Sequence, residues 1–398
     1  MSGEVTYPGV YIEEIPTGAH PIPGVSTSDA AFVDFFPKGA LEKAIAIRSF
    51  NHFEREFGGL DARSEASFAI EQFFLNGGCV AWVVRIAAAN EPGTSEWHGT
   101  KGADAILGRA GEEQGIYALR GTGFNILCLP AAANLSANSL KTVYDEAAKF
   151  CNEQRAFLIA DIPPHIDTPE KSIAWLEETK GITRDANAAI YFPRVLVDPL
   201  GKKTLRNVGA SGTMAGVYAR TDAQRGVWKA PAGVDATLVG VQLAHHLTDI
   251  ENAKLNVLGI NVLRSFPSSG NVCWGARTLV GSDPLASEWK YNPVRRTALF
   301  IEASVSQGIQ WAIYEPNDEV LWARIRLSAG DFMHQLFRQG AFQGASPSDA
   351  FFVKCDATTT TREDIEVDVV NIIIGFAPLK PAEFVVIKIQ QMAGQTAC

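Results

Sequence analysis

Three runs follow one another almost without linkers: "FNILCLP" (124–130), "SANSLKTVYDEAAKFCNEQ" (136–154) and "AFLIADIP" (156–163). The outer two are short apolar segments ending in proline, which suits strands. The middle one reads as a helix. A strand, a helix and a strand at this spacing imply parallel neighbours joined by a right-handed crossover. The pattern continues downstream. "TPEKSIAWLEETK" (168–180) reads as a helix with Thr168 as N-cap and Pro169 at its first position. "AAIYFPRVLV" (188–197) then reads as one strand. The fold class that follows is α/β with a mainly parallel sheet.

Upstream, "DAAFVDFF" (29–36) and "CVAWVVRI" (79–86) add strands. "SFNHFEREFGG" (49–59) and "ASFAIEQFFLNGG" (66–78) add helices closed by glycine, the first with Ser49 as N-cap. Residues 88–120 are rich in Gly, Ala, Glu and Thr and read as a loop-rich, outward-facing insertion. Together these make a domain over 25–250. The second half has a different rhythm and reads as a small α+β domain over 251–380. Its expected strands lie in 255–280, 310–315 and 350–356, with helices over 294–309 and 319–342, the latter broken at Gly330. Two extended pieces flank these domains. Residues 1–24 hold Pro8, Pro16, Pro21 and Pro23, which forbid a helix. Residues 381–398 contain the strand-like run Phe384–Ile389.

The 398 residues are 46% hydrophobic and 20% charged, with net charge −9. A large core is available without disulfides. The negative balance argues against a nucleic-acid surface, and Lys202, Lys203 and Arg206 read as a solvated loop. Cys79, Cys128, Cys151, Cys273, Cys355 and Cys398 form no C-x-x-C pair. Buried thiols in a reducing cytosol fit best, with Cys79, Cys128, Cys273 and Cys355 in apolar surroundings and Cys398 exposed. The first twenty residues carry Glu13 and Glu14 and no basic-then-apolar pattern, so no cleaved leader is expected. No apolar run reaches the length of a membrane span.

No catalytic constellation emerges. A phosphate-cradling P-loop motif is absent, and the glycines of "GTGFN" (121–125) precede a strand where a dinucleotide site needs them after one. His245 and Asp249 stand one helical turn apart, with no third metal ligand in view. "GASGTMAG" (209–216) offers Ser211 as a nucleophile, with His245 and Asp198 as the nearest base and acid. Small residues at a helix start explain that stretch equally well. Glu177 and Glu178 are adjacent on a helix's solvent side and do not face one another. No enzyme, no metal and no cofactor are expected.

Several stretches resemble the sheath proteins of contractile phage tails and related contractile injection systems. They are "YPGVYIEEIPTGAHPIPGVSTSDAAFV" (7–33), "FNHFEREFGG" (50–59), "AIEQFFLNGGCVAWVVRI" (69–86), "GVYARTDAQRGVWKAPAG" (216–233), "LNVLGINVLRSF" (255–266), "WGARTL" (274–279), "WKYNPVRRTALFIEASVSQGIQWAIYEPNDEVLWARI" (289–325) and "GFAPLKPAEFVVIKIQQ" (375–391). They keep the family's order along nearly the whole chain. "FPSSG" (266–270) departs by lacking the family's Gly-Arg after the proline, and 88–120 has no counterpart.

The resemblance implies an outer α/β domain, an inner α+β domain facing a tube, and arms that complete a sheet in neighbouring subunits. The N-terminal arm would use Val5, Tyr7, Val10, Tyr11 and Ile12. The C-terminal arm would use Phe384, Val385, Val386, Ile387 and Ile389. The burial that one strand gains is close to the entropy it loses on ordering, so each link is weak and the lattice multiplies it. Tube attachment would fall to Asp331, His334, Gln335 and Arg338 on the helix at 331–342, although Phe332, Leu336 and Phe337 there read as core. The resemblance further implies stacked hexameric rings, a metastable extended state, and contraction without nucleotide hydrolysis. Implied partners are further sheath copies, the inner tube protein, and baseplate and terminal cap proteins. Assembly in a bacterial cytoplasm into a phage tail or tail-like particle follows. Two alternatives stay open: an α/β hydrolase-like enzyme using Ser211, and a non-polymerising baseplate or adaptor protein of sheath-like fold.

Overall fold

Alternation of side chains along each central strand decides the architecture. In the computed structural model, which describes residues 20–87, 97–198 and 205–383, Phe157 and Ile159 face one apolar core while Leu158 and Ala160 face another. A strand buried on both faces needs helices on both faces. The chain forms two compact units, a large one over 25–302 with 378–398 and a small one over 1–24 with 303–377.

The large unit is built from β1 (Ala30–Asp34), β2 (Ala44–Ile47), α1 (Phe50–Phe57), α2 (Glu65–Leu75), β3 (Ala81–Arg85), α3 (Gly102–Leu107), β4 (Ile126–Cys128), α4 (Ala137–Gln154), β5 (Phe157–Ala160), α5 (Pro169–Glu177) and β6 (Ala188–Phe192). There follow β7 (Val195–Val197), β8 (Arg206–Val208), α6 (Ser211–Arg225), β9 (Val241–Leu243), α7 (Asp249–Val257), β10 (Asn261–Phe266) and β11 (Gly270–Cys273). The main sheet has the order β11-β10-β6-β5-β4-β1-β3-β2. Its six inner strands run parallel, and β2 and β11 close the edges antiparallel. Helices α3, α4, α5 and α7 contribute to one core and α1, α2 and α6 to the other. The crossover at 124–163 is therefore as the sequence implies. Ser49 and Thr168 cap α1 and α5, and Gly58 ends α1 in the left-handed conformation.

Several expectations change. The strand expected over 188–197 is two strands around Pro193, which has no N–H to give a ladder; β7 joins β8 and β9 in a separate antiparallel sheet. Residues 255–257 close a helix, because Thr248 and Glu251 form a capping box that starts α7. The strands of 261–273 belong to the main sheet, since β10 pairs with β6, so this unit continues past residue 250 to 302. Of the expected insertion, residues 97–120 hold α3 and short helical turns, and Ala103, Ile106, Ile116 and Leu119 are core. Arg206 is a strand residue lying 4.2 Å over the Phe68 ring, whereas Lys202 and Lys203 lie outside the described residues. Cys79 is exposed, while Cys128, Cys151, Cys273 and Cys355 are buried.

Helix α8 (Asn292–Gly308) contains the division between the units. The small unit continues with α9 (Glu319–Arg338), α10 (Pro347–Ala350), β12 (Phe351–Lys354), α11 (Arg362–Glu366) and β13 (Ile373–Phe376). The strand expected at 310–315 is a helical turn over Gln310–Ala312. Gly330 does not break α9. Buried Ile325, Ala329, Phe332, Met333 and Leu336 form one face running past it, which outweighs the ~1 kcal/mol cost of a helical glycine. No helix among the described residues is long and apolar enough to cross a membrane.

Candidate functional site

Helix α9 is amphipathic, and its C-terminal half separates the sequence-selected residues cleanly. Phe332 and Leu336 are buried, Phe337 is half-buried, and Asp331, His334, Gln335 and Arg338 are all exposed. Positions 331, 334, 335 and 338 follow the i, i+3, i+4, i+7 spacing that puts side chains on one face. This face offers an acid, a base, an amide and an imidazole to a partner. Arg338 also stands in the last turn, where a cation suits the helix dipole.

Beside it, β12 and β13 form a two-stranded antiparallel sheet with Phe351 opposite Phe376 and Lys354 opposite Ile373. Among the described residues no third strand joins either edge. A lone pair of strands is marginal in water, and each open edge presents unpaired N–H and C=O groups. Apolar side chains stay exposed in this unit: Ile313, Tyr314, Val320, Leu327, Phe352, Val367, Val369 and Ile373. One apolar cluster under α9 gathers Leu321, Trp322, Ile325 and Cys355.

The residues nearest the two terminal segments are pinned by polar contacts. In the small unit, His20 stacks on Trp311 with ring centroids 4.3 Å apart, and its backbone N–H donates to Ser328 Oγ at 3.1 Å. Arg324 lies 4.7 Å over the same Trp311 ring, with Nη2 3.0 Å from His20 Nε2. In the large unit, Glu383 is held bidentately by Arg277 at 2.8 and 2.7 Å. Val5, Tyr7, Val10, Tyr11 and Ile12, and Phe384, Val385, Val386, Ile387 and Ile389, lie outside the described residues.

A buried polar cluster sits where the parallel strands end, the usual ligand position in open α/β sheets. Here side chains fill it. Asp161 accepts from Ser211 N at 2.8 Å and Ser211 Oγ at 2.5 Å, and Glu65 accepts from Arg194 at 2.5 Å, Gly209 N at 2.6 Å and Asn134 at 2.7 Å. Asp34 accepts from Ser64 Oγ and the backbone N–H groups of Phe35 and Ala66. Burial pushes the Asp34 carboxyl up to about 7 and that of Asp161 to about 6. Ser211 is fully buried at the first position of α6. Neither His245 nor Asp198 is among its hydrogen-bond partners; the acid it meets is Asp161, and it is an acceptor for a helix start. "GASGTMAG" is small because α6 lies directly on α2: a Cβ on Gly212 would stand 2.3 Å from Ala69 O, and one on Gly216 2.5 Å from Phe73 O. His245 and Asp249 also part company. His245 precedes α7 and approaches Glu251 at 3.8 Å, while Asp249 pairs with Arg264 at 2.8 Å. Glu177 pairs with Arg184, and Glu178 caps the end of α5. No cluster of three metal-ligating side chains occurs among the described residues.

The candidate site is thus a set of surfaces and edges in the small unit. Two family models match the chain: the phage tail sheath central domain over residues 100–279 and the phage tail sheath C-terminal domain over 286–392. The chain belongs to the phage tail sheath family.

A prophage major tail sheath protein of Pseudomonas aeruginosa is 26% identical over 351 residues, covering 84% of both chains. The tail sheath protein of Vibrio phage KVP40 is 22% identical over 387 residues, covering 89% of this chain and 56% of that longer one. Among solved structures, the sheath of the extracellular contractile injection system PVC in its contracted state matches at 27% identity. Its TM-score is 0.75, over 97% of this chain and 98% of that one. The contracted helical sheath of the anti-feeding prophage matches at 27% identity and TM-score 0.73, over 97% and 99%. This sheath-family chain is therefore a structural protein of a contractile phage-tail-like system. The central-domain match starts at residue 100, so part of the segment read as an unmatched insertion belongs to the family's own fold.

Reading the sequence missed both pinned roots. Arg277 sits in "WGARTL", between glycine and a leucine that is core, a position where a long cation needs a buried partner. That signal was available; its partner 106 residues away was not.

Proposed function

We propose that this chain polymerises into stacked hexameric rings around an inner tube, is held in an extended metastable state, and contracts to drive the tube through a target membrane. No nucleotide is hydrolysed; the work comes from new subunit contacts summed over many copies. The small unit would be the inner one, facing the tube, and the large α/β unit the outer one. Residues 1–24 and 381–398 would be arms that add strands to a neighbour's sheet. Copies of the chain, the tube protein, and baseplate and cap proteins would be its partners, and the particle would assemble in a bacterial cytoplasm. The observation that carries this reading is the two-stranded β12–β13 sheet, whose outer edges have no strand partner among the described residues. Added strands would satisfy those edges and cover Phe352 and Ile373. The exposed set Asp331, His334, Gln335 and Arg338 on α9 would meet the tube.

Negative-stain electron microscopy of the chain expressed alone tests polymerisation: long uniform tubes are expected, and a chain ending at residue 383 should remain as soluble monomers. Normal tubes from the shortened chain would remove the arm assignment. A second reading has its own support, since a chain in the six-fold symmetrised baseplate of the anti-feeding prophage matches at 29% identity and TM-score 0.70. A baseplate role would give single rings that do not lengthen when tube protein is added.

A further inference from the structure

Arg277 is the bulkiest side chain sealed from solvent among the described residues, at 1% exposure. A buried guanidinium must have its donors met. Nη1 donates to the carbonyls of Asn256 at 2.8 Å and Gly281 at 3.2 Å and to Asp283 at 3.0 Å. The other edge of the fork, Nε and Nη2, is given wholly to the two carboxylate oxygens of Glu383. Lys290 stands 3.9 Å from the same carboxylate and 2.7 Å from Asp283. Burial works against the charge on Arg277, yet its pKa is raised, because the hydrogen bond and the charge of Glu383 outweigh that burial.

The socket is itself fastened to the sheet. The Asn261 side chain brackets the Arg277 backbone, accepting from its N–H at 2.7 Å and donating to its carbonyl at 2.7 Å, and it also donates to Ile190 O at 3.1 Å. Asn261 is the first residue of β10, in register with Tyr191 of β6. Gly275 permits this closeness, since a Cβ there would stand 2.9 Å from Asn261 Cα. Residues 378–383 form no helix or strand beyond an isolated bridge at Pro378, and Pro378 and Pro381 lack N–H donors. Among the described residues, the hydrogen bonds tying this stretch to the large unit run through the Glu383 carboxylate.

We propose that Arg277 is the socket fastening the C-terminal segment to the α/β sheet, so that the run at 384–389 leaves the large unit from a fixed point and a pull on it enters the sheet through Asn261 and β10. The transmission of pull rests on the reading of that run as a donated strand; the fastening does not. The N-terminal segment is rooted differently, on Trp311, Arg324 and Ser328 of the small unit. A lattice tied by both ends therefore grips two different units of each subunit.

Pulsed electron-paramagnetic-resonance distances test the fastening in the full chain. Spin labels go on Ala382→Cys, exposed beside Glu383, and Ile250→Cys, exposed on α7. Cys79 and Cys398 are replaced by serine, and labelled chain is diluted in unlabelled chain so that pairs stay isolated in any assembly. One narrow distance is expected. Glu383→Ala should broaden it at least twofold, and Glu383→Gln, which keeps one acceptor, should broaden it less. Unchanged width in Glu383→Ala, with the unfolding midpoint of the chain retained, overturns the proposal. So does equal broadening by a control, Asp283→Ala, which removes a partner of Arg277 without touching residue 383. Tubes of Glu383→Ala should form but lose intact length under shear at least threefold faster than the parent tubes. If a chain ending at residue 383 forms normal tubes, strand donation falls, and the distance widths still decide the fastening.

Discussion

A methyl group added at Gly212 sets two effects against each other. Helix propensity favours the change: alanine in a helix interior is about 0.5–1 kcal/mol better than glycine. Packing opposes it. The new Cβ would lie 2.3 Å from Ala69 O, 2.5 Å from Ala69 Cα and 2.6 Å from Ala69 C, all backbone of α2. Unstrained contacts between carbons are about 3.5–4.0 Å, so the two helices must separate by about 1 Å. Neither helix can do this freely, because Met214 and Val217 of α6 and Phe68, Ile70 and Phe73 of α2 are locked in one core. Overpacking of a filled core costs about 1–3 kcal/mol, and a clash with main chain belongs at the upper end. The net expectation for Gly212→Ala is a loss of about 2 kcal/mol. Gly330 provides the opposite sign in the same protein, since nothing lies within 4 Å of a Cβ built there. Gly330→Ala should gain about 0.5–1 kcal/mol. Urea unfolding followed by far-ultraviolet circular dichroism reads both. A Gly212→Ala chain as stable as its parent would refute the reasoning that the small residues of 209–216 exist for helix contact.

Three further outcomes follow from the geometry. Asp34 and Asp161 have pKa values raised by burial to about 7 and about 6, against 3.8 unfolded, so folding takes up protons in this range and their contribution is lost as pH rises through those values. The urea midpoint should be higher at pH 6 than at pH 8, and Asp34→Asn should shrink the difference; a midpoint higher at pH 8 contradicts it. Among the described cysteines only Cys79 is exposed, and burial pushes the thiol of Cys273 up to about 12 and that of Cys355 to about 11. Mass spectrometry after brief thiol modification of the native chain should find Cys79 labelled at least tenfold faster than Cys128, Cys151, Cys273 or Cys355. Finally, Arg338→Glu should weaken co-sedimentation with the tube protein without altering the unfolding midpoint; unchanged co-sedimentation would take tube contact away from this face of α9.

The parts of the fold that could be read in advance are those whose causes are local. Apolar runs of strand length, helical spacing and the caps at Ser49 and Thr168 are short-range signals, and they located most elements of the parallel sheet. Readings failed where a distant partner or an unnoticed cap intervened. Thr248 and Glu251 turned the start of an expected strand region into a helix. Pro193 split one apolar run between two sheets. Pairing of β10 with β6 moved residues 261–273 into the large unit. The exposed face of α9 was legible because its period lies within one helix.

By itself, the sequence determined the alternation of strands and helices, the absence of a nucleotide-binding motif, and a resemblance spread along nearly the whole chain, since each is a matter of residue type and spacing. Only the tertiary structure decided that Ser211, at the start of a helix, donates to Asp161, that Gly212 and Gly216 let two helices touch, and that Arg277 reaches across 106 residues to Glu383. Those are meetings between segments that have no local cause. A buried charge must find its partner wherever the fold brings one, and no spacing rule states where that will be.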